Sequence, residues 1–270
     1  MAITVRLIGG LGNQMFQYAV ACSLAARRDT EVALDLAWFD QSDGDTRRTY
    51  ALDAFAGPAA SPRASSAPGA VVRERSFAYD PGIAELLDGS VLSGFFQSER
   101  YFCEHAAVIR TAFSFCDGPD HRNRSILGLI GSCESVAVHV RRGDYASDPA
   151  SNAHHGLLPL GYYRDAATEV SSRVGAPKFF VFSDDPQWCR SALSFLGEAI
   201  VVDHNPVERG AEDLRLMAAC RHHILANSTF SWWGAWLATR SEQVVVAPRR
   251  WFADASVDTA DLCPSRWMLR

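Results

Sequence analysis

Residues 135–144 read Ser-Val-Ala-Val-His-Val-Arg-Arg-Gly-Asp. The apolar, largely β-branched run up to Val140 has the pattern of a buried strand, and it stops at two arginines, a glycine and an aspartate. A core strand that delivers His139, Arg141, Arg142 and Asp144 to one rim makes a cationic site. A guanidinium forks onto two oxygens at once, so such a rim suits a phosphate or diphosphate. Taken alone, an Arg–Asp pair that ties down a strand end explains the same stretch equally well. Other segments have to decide between the two.

Three of them carry polar groups at the junction of strand and helix. In Gly9-Gly10-Leu11-Gly12-Asn13-Gln14 the glycines let a backbone approach a ligand, and the N–H groups that open the next helix form an anion site. The spacing is neither a Walker loop nor Gly-x-Gly-x-x-Gly. A tight turn explains Gly10 and Gly12 but leaves Asn13 and Gln14 without a purpose. Ser183-Asp184-Asp185 closes an apolar run, 179–182. A carboxylate there can accept two hydrogen bonds from a base edge such as that of guanine. Asp185, just before Pro186, is the expected helix cap, which leaves Asp184 as the freer acid. Asn227, Ser228, Thr229 and Phe230 lead into Ser231-Trp232-Trp233-Gly234-Ala235-Trp236. The polar lead-in can cap a helix and offer hydroxyls and N–H groups to a phosphate, whereas the tryptophans are a large apolar mass expected in the core. His154-His155 and His222-His223 lack a carboxylate at ligand spacing. The first pair is expected in a loop near the site, the second in packing.

The elements that must position these residues alternate. Ile3–Ile8 is a strand, Met15–Arg28 a helix ending on two arginines, and Glu31–Leu36 a second strand, which is a βαβ opening and predicts a parallel sheet. Residues 40–75 are rich in Asp, Ala, Ser, Pro and Gly and predict loops and short helices. Val91–Phe96 reads as a strand, and Cys116–Arg124 as a surface connection between domains. The second half then gives strands at Ser135–Val140, Lys178–Ser183, Ala199–Val202, His223–Ala226 and Gln243–Ala247. Helices are predicted over Gly161–Val174, Ala211–Cys220 and Ser228–Leu237. Two α/β domains follow, 1–120 and 121–270. In such sheets ligands sit at the carboxyl ends of strands, where every polar cluster above falls.

Composition narrows the function. With 270 residues, 48% of them hydrophobic, the chain can bury a large core. A formal charge of −5 argues against nucleic-acid binding, so any anion site is a local focus of arginine. The seven cysteines are scattered and form no Cys-x-x-Cys, which argues against a zinc site and a disulfide scaffold. No signal peptide and no transmembrane run is read, so a cytoplasmic protein is expected.

Together the segments resemble glycosyltransferase family 11, the α-1,2-fucosyltransferases, in a bacterial form. The matching stretches are Gly9–Tyr18, Gly94–Phe102, His139–Tyr145, Phe182–Asp185 and Asn227–Leu237, in the family's order. The resemblance implies a GT-B-like α/β fold, with two Rossmann-like domains facing across a cleft. It implies transfer of L-fucose from GDP-β-L-fucose to the 2-hydroxyl of a terminal galactose, with inversion and no required metal or other cofactor. The acceptor would be a galactose-terminated oligosaccharide or glycolipid, with peripheral membrane contact left open. Arg141 would hold the β-phosphate, His139 lie beside the nucleotide, and Asp144 orient the arginines. Asp184 or Asp185 would meet guanine. Ser228, Thr229 and Phe230 would line the diphosphate, which Asn13 would reach from the N-terminal half. Gly10, Gly12, Gln14, Arg142, Ser183 and Asn227 complete the expected donor set, and Gln97, Ser98, Tyr101, His154 and His155 the acceptor set. No carboxylate stands out as the base, so the leaving phosphate can take the proton. Two other readings stay open: a transferase of another nucleotide sugar, and a carbohydrate-binding module whose aromatics stack on sugar.

Overall fold

The computed structural model describes residues 2–41, 48–64 and 69–270; of Gln41 and Asp144 it describes the backbone and not the side chain. The chain forms two units, one of residues 1–118 with 258–264, the other of 119–257 with 265–270. The segment 258–264, read from sequence as part of the second domain, belongs to the first unit. Its Asp261 accepts from the Tyr79 N–H at 2.9 Å and pairs with Arg100 at 2.6 Å.

Unit 1 is built on four parallel strands, β1 (Ala2–Arg6), β2 (Glu31–Asp35), β3 (Val71–Arg73) and β4 (Val91–Ser93), in the order β2-β1-β4-β3. The Leu11–Arg28 helix starts four residues before its first strong apolar signal, Met15, because Gly10 serves as its N-cap. It presses Phe16, Ala19, Val20 and Leu24 into the core beside Ile3, Val5 and Leu34. β3 lies in the stretch predicted as loops and short helices. Its three residues are half-buried or exposed, so no apolar run announces it. Residues 42–47 and 65–68 of that stretch fall outside the described ones.

Unit 2 holds six strands: β5 (Glu134–Val140), β6 (Pro177–Ser183), β7 (Ile200–Val202), β8 (His222–Ile224), β9 (Val245–Ala247) and β10 (Met268–Leu269). All pair in parallel, in the order β10-β9-β8-β5-β6-β7. Numbered from β5, this is the 7-6-5-8-9-10 equivalent of the nucleotide-binding order 3-2-1-4-5-6, and its switch point lies between β5 and β8. β5 is buried along nearly its whole length, as a central parallel strand must be. Val136, Val138 and Val140 face the Leu160–Arg173 helix through Tyr162, Tyr163, Ala166 and Val170. Ala137 faces the other layer, with Ile130, Leu216 and Met217. The expected surface connection up to Arg124 already contains the start of a helix, His121–Gly131, capped by Asp120 on the Asn123 N–H at 2.9 Å. The α/β class with two Rossmann-like parts is therefore the architecture found.

Candidate active site

At the carboxyl end of β5 the alternation of the strand decides where each side chain goes. His139 shares the face of Ala137 and meets the Phe230 ring, with centroids 5.5 Å apart. It is 6% exposed, and its Nδ1 has no hydrogen-bond partner. Burial pushes its pKa down to about 4, the Asp184 carboxylate opposes that shift and the Arg141 charge adds to it, so the ring is neutral at ordinary pH. Arg141 pairs through Nη1 with Asp184 Oδ2 at 2.9 Å, and its guanidinium lies 5.4 Å from the centre of the Tyr145 ring. Arg142 turns to the opposite layer. Its Nε pairs with Asp185 at 3.2 Å and its guanidinium covers the Trp188 indole at 4.1 Å.

The end of β6 supplies the matching acids. Asp185 caps the Pro186–Ala192 helix by accepting from the Trp188 N–H at 3.1 Å, as the sequence predicts. Ser183 accepts from the Asp185 N–H at 2.9 Å. Asp184 is not the freer acid: besides Arg141 it accepts from the Arg142 N–H at 2.8 Å. Gly143 is required by this arrangement. A Cβ there would sit 2.7 Å from Asp184 Oδ2, too close for contact. Gly143 opens a short helix, Gly143–Ser147, which contains Asp144; that residue's side chain lies outside the described ones.

Across the switch point, the Thr229–Leu237 helix begins at Ser228 with no side-chain cap. The positive end of this helix lies beside His139, whose ring meets that of Phe230 in the first turn. Ser228, Thr229 and Phe230 are half-buried, and Trp232, Trp233 and Trp236 are core, as expected. Asn227 is buried, and its amide nitrogen donates to the carbonyls of His155, Gly156 and Trp251 at 2.9, 3.1 and 3.2 Å, while its Oδ1 is buried without a partner. His154 and His155 are packing residues as well. The His155 ring stacks on Tyr145 at 4.5 Å, and both histidines touch Phe252. The second pair, His222 and His223, is buried, and His223 bonds to Met217 O and Gln243, which bears out packing.

In unit 1 the strand order reverses between β1 and β4, and the residues that follow these strands meet. Gln97 donates from Nε2 to Asn13 Oδ1 at 3.1 Å, and its own Oε1 is buried without a partner. Gly9 takes φ +75°, so the turn needs glycine there, and Gly10 borders open space. Gly12 lies buried in the first turn of the helix. Gln14 is a correction. It is fully buried, donates to Gly9 O and Thr49 O, and accepts from the Ala51 N–H, each at 2.9 Å, so it latches the chain. Ser98 is also buried and caps a short turn through the Arg100 N–H. Tyr101 accepts from the Asp80 N–H at 2.9 Å and lines a pocket. Sequence reading assigned no role to Trp188, Tyr145 or Gly143. Trp188 is the one with a local signal, three residues after a helix cap.

The family model for glycosyl transferase family 11 matches residues 90–268. The chain belongs to glycosyl transferase family 11. An alpha-1,2-colitosyltransferase of Escherichia coli is 32% identical to it over 98% of each chain. A second Escherichia coli relative, the O-antigen biosynthesis glycosyltransferase WbnK, is 31% identical over 92% of this chain and 94% of its own. Galactoside alpha-(1,2)-fucosyltransferase 1 of Saimiri sciureus is 30% identical over 54% of this chain and 42% of its own. Among solved structures, NodZ alpha-1,6-fucosyltransferase soaked with GDP-fucose has a TM-score of 0.53 at 18% identity, covering 88% of this chain and 93% of that one. That likeness is one of fold. The family 11 chain is thus a glycosyltransferase, and among its described residues no helix is long and apolar enough to cross a membrane.

Proposed function

We propose that this family 11 enzyme transfers L-fucose from GDP-β-L-fucose to the 2-hydroxyl of a terminal galactose, inverting the anomeric carbon. The observation that carries the reading is the pair of guanidiniums at the end of β5, beside a helix N-terminus without a side-chain cap. As the bond to fucose breaks, negative charge develops on the leaving diphosphate. Arg141 meets it with a fork of N–H donors, and the Ser228–Phe230 turn with backbone N–H groups, so the reaction needs no divalent cation. Asp184 aims Arg141, and Asp185 with Trp188 aims Arg142. A guanine contact by either acid has to use the lone pairs these bonds leave over. The neutral His139 offers a hydrogen bond to the donor without adding charge. The galactose 2-hydroxyl attacks the anomeric carbon, and its proton goes to the departing phosphate. The relatives named for α-1,2 transfer support the linkage, and a cytoplasmic setting matches a soluble nucleotide-sugar donor.

One relative favours a second donor. The colitosyltransferase spans nearly the whole chain, and colitose is fucose lacking its 3-hydroxyl. A site that hydrogen-bonds a hydroxyl rejects the deoxy analogue by about 10⁴-fold or more. The test is kcat/KM for GDP-fucose against GDP-colitose with lactose as acceptor, run with and without chelator. The fucosyl reading expects fucose to win and the chelator to change nothing. Preference for the deoxy sugar replaces the donor, and loss of turnover with chelator overturns the metal-free mechanism.

A further inference from the structure

Unit 1 contains a pocket of about 320 Å³ that the donor chemistry does not use. Its walls include Glu74, Ser76, Tyr79, Asp80, Phe96 and Tyr101. It opens beside the carboxyl ends of β3 and β4, since Glu74 follows Arg73 and Phe96 lies three residues after Ser93. The volume is at the low end of the ~300–1,000 Å³ typical of small-molecule sites.

The groups around it alternate in kind. Glu74 accepts the Phe95 N–H at 2.6 Å and the Phe96 N–H at 2.8 Å, one on each oxygen. A carboxylate has about four acceptor positions, so it keeps capacity for hydroxyl donors. Glu74 also fixes the pocket wall, because Phe96 stands at φ +51°, where a side chain is uncommon. The Tyr101 oxygen accepts the Asp80 N–H and leaves its own proton to donate. Burial pushes the phenol up to about 12, so that proton stays in place. The aromatic walls are braced: Tyr79 and Tyr101 are 4.8 Å apart, Phe96 meets Tyr101 edge-on at 5.7 Å, and Arg100 covers Tyr79 at 4.2 Å. Asp261 holds both Arg100 and the Tyr79 N–H.

Acceptor oxygens, a phenol donor and aromatic edges in one small concave site are the partners that vicinal hydroxyls and the C–H face of a pyranose require. Arg75 also lines the pocket, so its charged walls are two carboxylates and one guanidinium. We infer that this pocket is the sugar subsite for the galactoside acceptor, with Glu74 and Tyr101 reading its hydroxyls. The inference rests on the proposed function for the identity of the sugar and on unit 1 alone for its place.

Binding of lactose, a soluble galactoside, is read by ligand-observed NMR, alone and with GDP present, so that transfer is not needed. Ala78, another lining residue, is replaced in Ala78→Trp to fill the pocket. The expected result is lactose affinity at least tenfold weaker in Ala78→Trp and several-fold weaker in Tyr101→Phe, with GDP affinity unchanged within twofold. Should Ala78→Trp fail to fold by circular dichroism, Ser76→Trp at the exposed rim is used instead. Unchanged lactose affinity in a folded filled variant overturns the inference, as does no lactose binding by the wild type in either state. Lactose bound in this pocket without transfer from GDP-fucose keeps the subsite and removes the proposed reaction.

Discussion

Gly143→Ala adds one methyl group where the chain has no room for it. The new Cβ would lie 2.7 Å from Asp184 Oδ2 and 3.1 Å from its Cγ. Ordinary contact begins at about 3.4 Å, so the carboxylate must retreat by about 0.7 Å. Its bonds to the Arg142 N–H, at 2.8 Å, and to Arg141, at 2.9 Å, stretch toward 3.5 Å if they take up that shift. A hydrogen bond to a charged group is worth about 1.5–3 kcal/mol, and ~1.4 kcal/mol is tenfold in rate. Loss of Arg141's anchor therefore predicts kcat lower by roughly 10- to 100-fold, with a stability change near ~1 kcal/mol because the pair is partly exposed. Steady-state kinetics with GDP-fucose and lactose, beside a thermal melt, reads both. In an Asp184→Ala background the added methyl should cost little, since its collision partner is gone. A Gly143→Ala enzyme with kcat within twofold of wild type would refute the reasoning.

Other consequences are as specific. Trp188→Ala removes the indole under Arg142, and a cation–π contact is worth about 0.5–2 kcal/mol, so donor KM should rise about 2- to 30-fold while acceptor KM holds. Asp213, which accepts from Asn205 at 2.7 Å, has its pKa raised to about 6 by burial, above the ordinary 3.8. The folded chain thus binds its proton more tightly, and this group's contribution to stability falls as pH rises from about 4 to 6. Asp213→Asn should remove that fall, on the order of 2 kcal/mol after allowance for partial exposure, in paired urea titrations across the range. The buried His139 and His223, both lowered to about 4, act with the opposite sign and cancel in the difference. Gly128→Ala, inside the His121–Gly131 helix where a Cβ meets nothing within 4 Å, should stabilise the protein by about 1 kcal/mol on the same titration.

What the sequence made legible was set by burial. β5 and β6 announce themselves because central parallel strands are apolar on both faces, and the polar residues that end them stand out against that background. Asp185 as a cap and the tryptophans as core follow from local rules. β3 and β10 escape notice because strands of three and two residues, none of them fully buried, leave no pattern. The bonds of Gln14 and Asn227 to distant carbonyls escape the sequence for a different reason. An amide at a strand end looks the same in a chain whether it faces a ligand or a carbonyl distant in sequence, and Gln14 reaches Thr49, while Asn227 reaches Trp251. Asp184 was misjudged on the same ground, since its partners lie 42 and 43 positions earlier. The Glu74 pocket leaves no local signal because its walls come from two segments brought together by the pairing of β3 with β4 and by bonds between residues about 20 positions apart.

The central claim is that the Arg141 guanidinium quenches charge on the leaving diphosphate. Lysine at that position keeps the charge and loses the fork. The most direct measurement is the single-turnover rate of GDP-fucose consumption by Arg141→Lys at saturating donor and acceptor. A fall of about 10²–10³-fold, with the donor still bound, is the result expected when one transition-state donor is removed. A rate within tenfold of wild type at equal donor occupancy would contradict it.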